Sequence, residues 1–243
     1  MIEIIALLAC LNQCLDQTTT RQMERVIDAV LTMTGRVTML GISRWADKGG
    51  SYRTVQRFFN TAISWPKVFL CFFMQHLFLS GTEYFLVGDE SVVTKSGKET
   101  HGLDYFFSGL LNEVVKGISI FSLSLVSVKE RRSYPLRVEQ VIRSEAEKAM
   151  AKERKQKRAK KKNVTPKKKP GRPKGSRNRD KTQVALSPEL KRIQDMVKKQ
   201  LKILHDWLIV RYLVLDAGWA LWQQQCLANG LAVWSASDLQ AAL

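Results

Sequence analysis

A dense cationic segment divides the sequence into two parts. Residues 148–181 contain 17 Lys or Arg and only two acids, Glu153 and Asp180. Elsewhere 22 basic and 20 acidic residues nearly balance, so this segment carries most of the net charge of +17. Charge at this density is not buried without partners, and the prolines and glycines at 170–175 interrupt a helix. The core must therefore come from the sequence on either side of a basic insert, which we expect to be disordered without a partner.

The composition narrows the classes of function. A polycation of this kind binds a polyanion through counterion release, most simply DNA or RNA. The hydrophobic content of 45% is that of a globular protein with a core. Four cysteines and three histidines show neither zinc-ligand nor disulfide spacing, so we expect a reducing cytoplasm. The apolar run at 65–79 is too short and too polar to cross a membrane, and residues 1–15 lack the basic start of a signal peptide.

Residues 1–80 predict a helical domain. Thr18–Thr20 offer N-caps for a helix that Gly35 ends, and a shorter helix follows at about 37–46. Ser51 can cap a further helix at 52–60. That helix has an apolar and a basic side, formed by Val55, Phe58 and Phe59 and by Arg53, Gln56 and Arg57. A helix, a glycine turn and a basic helix suit a helix-turn-helix that reads DNA, and the alternative is a small bundle with a solvated basic face.

From residue 81 the pattern becomes that of strands. Tyr84–Val93, Gly117–Val128 and 134–139 are apolar, β-branched or alternating, and they can pair antiparallel. Residues 144–162 have the composition of a charged helix at the start of the insert. After the insert, Ser187-Pro188-Glu189 opens a helix with an apolar stripe. The run at 211–216 is apolar enough for a strand buried on both faces of a sheet, so the predicted fold class is mixed α/β (α+β).

Two of these strands end in a carboxylate. Asp89 follows the apolar run at 85–88, and Asp216 follows the run at 212–215. A carboxylate at the end of a buried strand is costly to desolvate, and a metal ion or another cation usually compensates it. Side by side, the two would suit Mg²⁺ ions about 3.5–4 Å apart, which clamp the attacking and leaving oxygens of a phosphodiester. The alternative is that each aspartate caps a turn after its strand.

A resemblance to a known family favours the metal site. Val87–Lys98, which reads Val-Gly-Asp-Glu-Ser-Val-Val-Thr-Lys-Ser-Gly-Lys, is followed by Gly-Leu-Asp at 102–104 and resembles the first catalytic strand of DDE insertion-sequence transposases. Ser133–Gln140 resembles their third strand, and Leu213–Asp216 resembles the strand with the second catalytic aspartate. The resemblance covers residues 83–217. It implies an RNase H-like fold and metal-assisted cleavage and joining of DNA strands during transposition.

The resemblance also assigns roles by position. It implies that Asp89 and Asp216 are catalytic ligands of Mg²⁺ or Mn²⁺. Glu90 is the alternative to Asp89, because both lie in the motif and adjacent side chains of a strand face opposite ways. Lys95 and Lys98 are either phosphate contacts or solvated loop lysines.

The insert carries a second resemblance. Residues 170–176, Pro-Gly-Arg-Pro-Lys-Gly-Ser, resemble an AT-hook, which lays an arginine in the narrow minor groove of A·T-rich DNA. Pro170 stands where that motif begins with Arg, so a general hold on phosphates is the alternative. Both interpretations make DNA the partner. The predicted contacts are Lys167, Lys168, Lys169, Arg172, Lys174 and Arg177, together with Arg53 and Arg57.

The family pattern breaks after residue 218. The family has a third acid, a glutamate on a later helix, whereas no glutamate follows Glu189 here and the only acid after Asp216 is Asp238. Residues 219–243 do not match the family's next segment either. Reading the codons one nucleotide later would turn each tryptophan of this tail into glycine, so we favour a shifted reading frame. The alternative is a native amphipathic helix that closes the sheet.

These features predict a division of the chain and two candidate functions. The segments are a helical region at 1–80, the first half of the DDE domain at 81–143, the basic insert at 144–184, the helix and strand that lead to Asp216 at 185–218, and the unmatched tail at 219–243. The chain is expected to be a DDE transposase, incomplete before the catalytic glutamate and therefore inactive. The alternative is a non-catalytic DNA-binding protein that inhibits or regulates transposition. Expected partners are transposon ends and target DNA, copies of the chain or full-length transposase, and no membrane.

Overall fold

The computed structural model describes residues 2–45, 51–150, 152–153, 156, 187–208, 210, 212–215 and 232–235. The chain forms two compact units. The first consists of Met1–Glu83 and Tyr134–Arg137, and the second of Tyr84–Ser133 and Val138–Leu243. The first is mainly helical, and the second is built on a β-sheet.

Packed helices form the first unit, which confirms the helical prediction for this part of the chain. Its elements are α1 (Ile2–Leu8), a 3₁₀ turn (Ala9–Gln13), α2 (Gln17–Thr32), α3 (Met39–Trp45), α4 (Tyr52–Asn60) and α5 (Trp65–His76). One buried apolar cluster joins the 3₁₀ turn, α2, α4 and α5, and includes Leu11, Met23 and Phe58. A second cluster of Ala29, Ile42 and Val55 joins α2, α3 and α4. Among the described residues, none of the helices is long and apolar enough to cross a membrane.

Asp16, and not a threonine, caps the N-terminus of α2. Its carboxylate accepts a hydrogen bond from the Thr19 hydroxyl at 2.6 Å and another from the Thr19 backbone N–H at 2.9 Å. These bonds, the hydroxyl bond first, hold the pKa of the Asp16 carboxyl below its usual range. The prediction that Thr18–Thr20 supply the cap is wrong, because α2 begins at Gln17 and the three threonines lie in its first turn.

Helix α4 has the predicted bounds and an exposed basic side. Val55 and Phe58 are each 3% exposed and belong to the core, whereas Arg53 and Arg57 are exposed. The prediction that Phe59 packs inward is wrong, since its side chain is 49% exposed. Residues 55 and 58 lie on one side of a 3.6-residue helix, and Phe59 lies at the margin of that side, where the core does not extend.

A six-stranded mixed sheet forms the centre of the second unit. The strands are β1 (Tyr84–Thr94), β2 (Asp104–Ser108), β3 (Glu113–Ser127), β4 (Arg132–Val141), β5 (Tyr212–Leu215) and β6 (Ala232–Ser235). Their order is β2-β3-β1-β5-β6, and β4 also pairs with β3. β3 is antiparallel to both β1 and β2, while β5 is parallel to β1 and β6. The predicted antiparallel pairing of the first and second long strands is therefore confirmed.

Strand β2 was absent from the sequence prediction. It is five residues long and pairs with the start of β3, which begins at Glu113 and not at Gly117. The connection between β2 and β3 contains Asn112 with φ of 53°. Asparagine tolerates this left-handed conformation better than other residues with a side chain, so the tight turn is encoded locally.

Two helices follow β4 in the second unit. Residues 145–150 are helical (α6), and α7 spans Pro188–Leu204. Ser144 and Glu147 form a reciprocal capping pair at the start of α6, with the Ser144 backbone N–H donating to Glu147 at 2.7 Å and the Glu147 N–H donating to the Ser144 hydroxyl at 3.3 Å. Arg192 of α7 donates to both Glu147 carboxylate oxygens, at 2.8 and 2.9 Å. This contact ties the helix before the insert to the helix after it.

The residues after the insert include elements that the sequence predicted. Ser187 caps α7 by accepting a hydrogen bond from the Leu190 N–H at 3.3 Å, and Ile193, Val197 and Leu204 of its apolar stripe are buried. Strand β5 is buried through Leu213, Val214 and Leu215, as predicted. Residues 232–235 form strand β6, so a helix that runs through to residue 243 is excluded for these four residues. The rest of the 219–243 tail lies outside the described residues, and the shifted frame stays a prediction.

Candidate active site

Asp89 lies in the strand at the middle of the sheet. β1 pairs with β3 on one side and with β5 on the other, and Asp89 is opposite Ser122 of β3. The register with β5 ends at the pair Gly88 and Leu215. In sequence, Asp89 follows Gly88 and Asp216 follows Leu215. Asp216 itself lies outside the described residues, and its role stays a prediction.

The side chains of β1 alternate between a buried face and a more exposed face. Tyr84, Leu86 and Gly88 are buried, whereas Asp89 is exposed on the opposite side of the strand. No described residue donates a hydrogen bond to the Asp89 carboxylate or forms an ion pair with it. The Ser122 hydroxyl donates to the backbone carbonyl of Asp89 at 3.4 Å and does not contact the Asp89 carboxylate. The carboxylate is therefore available to a cation.

Glu90 projects from the other face of β1. Its Oε1 accepts a hydrogen bond from the Ser119 hydroxyl at 2.5 Å, and Ser119 is fully buried. A buried hydroxyl needs a partner, because leaving it unpaired costs about 1–3 kcal/mol. The predicted divergence of the two acids is confirmed by this arrangement, and Glu90 has a structural partner that Asp89 lacks.

Gly88 leaves room for side chains of β5 and β3 to pack over β1 beside Asp89. A Cβ at this position would lie 2.5 Å from Leu215 Cδ2 and 2.8 Å from Phe121 Cζ. Both side chains are 1% exposed, so they have little room to withdraw. Any larger residue would have to displace these two buried side chains. The sequence analysis did not explain this glycine, because only the tertiary contacts show why it is needed.

Lys95 and Lys98 lie in the loop after β1. Both side chains are exposed, and the Lys95 backbone N–H donates to the Lys116 carbonyl at 3.1 Å. The five residues of strand from Asp89 to Thr94 span about 17 Å. Lys95 is therefore too far along the strand to contact a phosphate positioned beside Asp89, and a phosphate contact by this lysine would involve another part of the DNA.

The other predicted DNA contacts are divided between two regions. Arg53 and Arg57 are exposed on α4 of the helical unit, and Gln56 and Asn60 extend the same exposed side at helical spacing. The cationic residues of the insert, Lys167, Lys168, Lys169, Arg172, Lys174 and Arg177, lie outside the described residues.

The donor chemistry at Asp89 fits a hard divalent cation. Carboxylate oxygens are ligands that Mg²⁺ and Mn²⁺ prefer. In the part of the chain that the structure describes, no three His, Cys, Asp or Glu side chains come together as a metal-binding group. Among the described residues Asp89 is therefore an isolated candidate ligand, and a metal ion bound to it would need further ligands.

Comparison with known proteins identifies the family to which this sheet and its acidic residue belong. No curated protein matches the sequence. The model of the DDE superfamily endonuclease family matches residues 10–236, which include both units of the structure. A mixed sheet with parallel β1 and β5 at its centre and antiparallel β1 and β3 agrees with the RNase H-like fold of that family. With a match over nearly its whole length, the chain belongs to the DDE superfamily endonucleases, whose activity is that of nucleases and transposases acting on DNA.

Proposed function

We propose that Asp89 and Asp216 jointly hold Mg²⁺ or Mn²⁺ at the catalytic centre of a DDE transposase. The observation that carries the proposal is the parallel pairing of β1 and β5 up to Gly88 and Leu215, the residues immediately before the two acids. Paired residues of neighbouring strands project to the same face of a sheet, so a continued register brings both carboxylates to one face. The unengaged carboxylate of Asp89 supports the same assignment.

The geometry favours Asp89 over Glu90 as the ligand. Glu90 projects to the opposite face and accepts a hydrogen bond from buried Ser119, so turning its carboxylate towards the face of Asp89 would leave that hydroxyl unpaired. Asp89 can bind a cation without breaking a hydrogen bond to any described residue.

A bound divalent ion would supply charge stabilisation for the oxygens that attack and leave the phosphorus. The residues of the chain hold and orient that ion, since catalysis of phosphoryl transfer depends mainly on positioning and preorganised charge. Such a site needs a complete set of ligands, and no glutamate follows Glu189 in the sequence. We therefore propose that this chain on its own binds DNA but cleaves it poorly.

A second candidate function is a non-catalytic DNA-binding protein that inhibits or regulates transposition. Exposed side chains of α4 favour it, because Arg53, Gln56, Arg57 and Asn60 form one polar stripe on the surface. Arginine and the amides are the side chains that most often form bidentate hydrogen bonds to base edges in the major groove. Together with the basic insert, they would hold transposon ends without cutting them.

Cleavage and binding assays on the same preparations separate these functions. The full chain should bind duplex DNA with a strong salt dependence and show little nicking in Mg²⁺ or Mn²⁺. Asp89→Asn should leave duplex binding unchanged, and deletion of residues 148–181 should weaken it greatly. Robust Mg²⁺-dependent nicking that Asp89→Asn abolishes would overturn the proposed inactivity while supporting the metal site. Failure of the full chain to bind DNA would overturn both candidates.

A further inference from the structure

One face of the sheet carries Asp89 and continues across β3 to the β2–β3 hairpin. In the observed registers, odd residues of β1 and β2 project to the same side as even residues of β3. We call this side the Asp89 face. Its residues from the catalytic strand to the hairpin are Asp89, Ser91, Val93, Ser122, Ile120, Ile118, Lys116, Val114, Tyr105 and Phe107.

Two aromatic side chains stand exposed at the hairpin end of the Asp89 face. Tyr105 is 61% exposed and Phe107 is 60% exposed, whereas Phe106 between them is 2% exposed on the packed side. Val114, directly opposite Phe107, is also 61% exposed. A contiguous apolar patch on a soluble protein usually marks an interaction site. The two rings are therefore positioned for a ligand and not for the core of the sheet.

The charges around the two rings indicate which class of ligand they would bind. Lys116 is paired with Tyr105 across the strands, and it is the only charged residue among those of β2 and β3 on the Asp89 face. Lys95 lies beside it, since the Lys95 N–H donates to the Lys116 carbonyl. Two acids lie nearby: Asp104 forms an ion pair with Arg143 at 3.7 Å, and Glu113 projects to the opposite face of β3. Aromatic rings flanked by cations suit a nucleic acid, whose bases stack on rings and whose phosphates attract lysines.

From this arrangement we infer that Tyr105 and Phe107 stack unpaired DNA bases on the face of the sheet that carries Asp89, at some distance along the strands from that residue. The inference rests on the proposed action on DNA. Bases of an intact duplex are covered above and below by their neighbours, so rings standing on a sheet reach only bases that have left the stack. Residues two apart on a strand lie about 7 Å from each other, about twice the rise of about 3.4 Å between stacked bases. The DNA single strand bound here is therefore extended, without helical stacking of its bases.

The distance between Asp89 and Tyr105 along the sheet determines which part of the DNA the two rings would contact. Lys116 and Ser122, the partners of Tyr105 and Asp89, are six residues apart on β3. At the usual rise this is about 20 Å, or about six stacked nucleotides. The hairpin therefore holds DNA flanking the cleavage position, and it does so on the face from which Asp89 projects.

The test uses the full chain with a short single strand and a duplex of the same sequence. Tyr105→Leu/Phe107→Leu removes the rings and keeps apolar side chains on an exposed strand. We expect affinity for the single strand to fall about fivefold to 150-fold for each base that loses its stacking partner, with duplex affinity unchanged. Trp207→Leu is the matched control, since Trp207 is 51% exposed in the same unit. Leu110→Ser tests a purely apolar role of the hairpin, because Leu110 is 94% exposed at its tip and cannot stack a base.

A photocrosslink provides a direct readout. A single strand that contains 5-bromodeoxyuridine should crosslink to Tyr105 or Phe107, as located by mass spectrometry. Equal single-strand affinity of the wild type and the double variant, with crosslinks elsewhere, would overturn the inference and leave the proposed function standing if duplex binding persists. Dissociation of a dimer by the double variant or Leu110→Ser, without a change in DNA affinity, would show that the patch docks a second copy and would also overturn it.

Discussion

Replacing Gly88 by alanine is expected to destabilise the sheet at the junction of β1, β3 and β5. The added Cβ would lie 2.5 Å from Leu215 Cδ2 and 2.8 Å from Phe121 Cζ, whereas carbon atoms in contact are normally about 3.5–4.0 Å apart. Because both neighbours are buried, the overlap must be relieved by off-rotamer side chains or by movement of β5. Overpacking of this kind costs about 1–3 kcal/mol. For a protein of this size, each kcal/mol lowers the thermal midpoint by about 2–4 °C.

Gly109→Ala is the matched control for this substitution. A Cβ at Gly109 would have no atom within 4 Å, so the change in the free energy of unfolding should stay within about 0.5 kcal/mol. Leu215→Val shortens the side chain that Gly88→Ala would strike, and the double variant should be less destabilised than the sum of the two single variants. Urea and thermal unfolding of the four variants measure these differences. Equal stability of Gly88→Ala, Gly109→Ala and wild type would refute the packing argument.

Three further predictions concern the caps and the basic helix. Because the pKa of Asp16 is lowered in the folded state, its contribution to stability is present above the unfolded pKa and is lost as pH falls through the folded pKa. Asp16→Asn keeps a capping acceptor but does not titrate, so the free energy of unfolding in urea should fall less steeply at acid pH than it does for wild type. The pKa of Glu147 is also lowered, mainly by the Ser144 N–H and then by Arg192, so Glu147→Gln should destabilise at neutral pH and match wild type once Glu147 is protonated; a constant difference down to the lowest pH would contradict this. Replacing both Arg53 and Arg57 by glutamine should reduce the slope of log affinity for duplex DNA against log salt by about two, and an unchanged slope would remove α4 from the DNA contact.

Helices and strands with a capping residue or an apolar run in their own sequence were predicted correctly. Ser51 precedes an apolar and basic helical pattern, and α4 spans Tyr52–Asn60 as predicted. Ser187 followed by proline and glutamate likewise marks the start of α7. The apolar runs that became β1 and β5 were evident because strands buried in the middle of a sheet need apolar side chains on both faces. Each of these predictions needed only neighbours within one element.

Features that depend on pairing between distant segments were not predictable in the same way. The alternation of Tyr105 and Phe107 with buried Phe106 is strand-like, but a five-residue strand gains its stability from pairing with β3, which no local pattern specifies. The cap of α2 was assigned to the wrong residue because Asp16 and the following threonines are all good capping residues, and the start of the helix decides between them.

The candidate site was predictable in part. The motif identified Asp89 and Glu90 together, and the period of a strand implied that they face opposite ways. The partner that engages Glu90, Ser119, is 29 residues further along the chain and became evident only from the register of β1 with β3. The extended strand likewise separates Lys95 from Asp89, although both belong to one continuous motif in the sequence.

The central claim, that Asp89 is a metal ligand and Glu90 is not, is tested most directly by Mn²⁺ binding. Titration of the full chain by electron paramagnetic resonance would compare wild type with Asp89→Asn and Glu90→Gln, and competition by Mg²⁺ would show that the two ions share the site. We expect Asp89→Asn to weaken Mn²⁺ binding by at least about tenfold, because losing even a hydrogen-bond partner of a metal ligand usually costs about 10–100-fold in affinity, and losing the ligand should cost no less. Glu90→Gln should bind Mn²⁺ as wild type does, even if it lowers stability through Ser119. Full Mn²⁺ affinity in Asp89→Asn with loss of binding in Glu90→Gln would contradict the account.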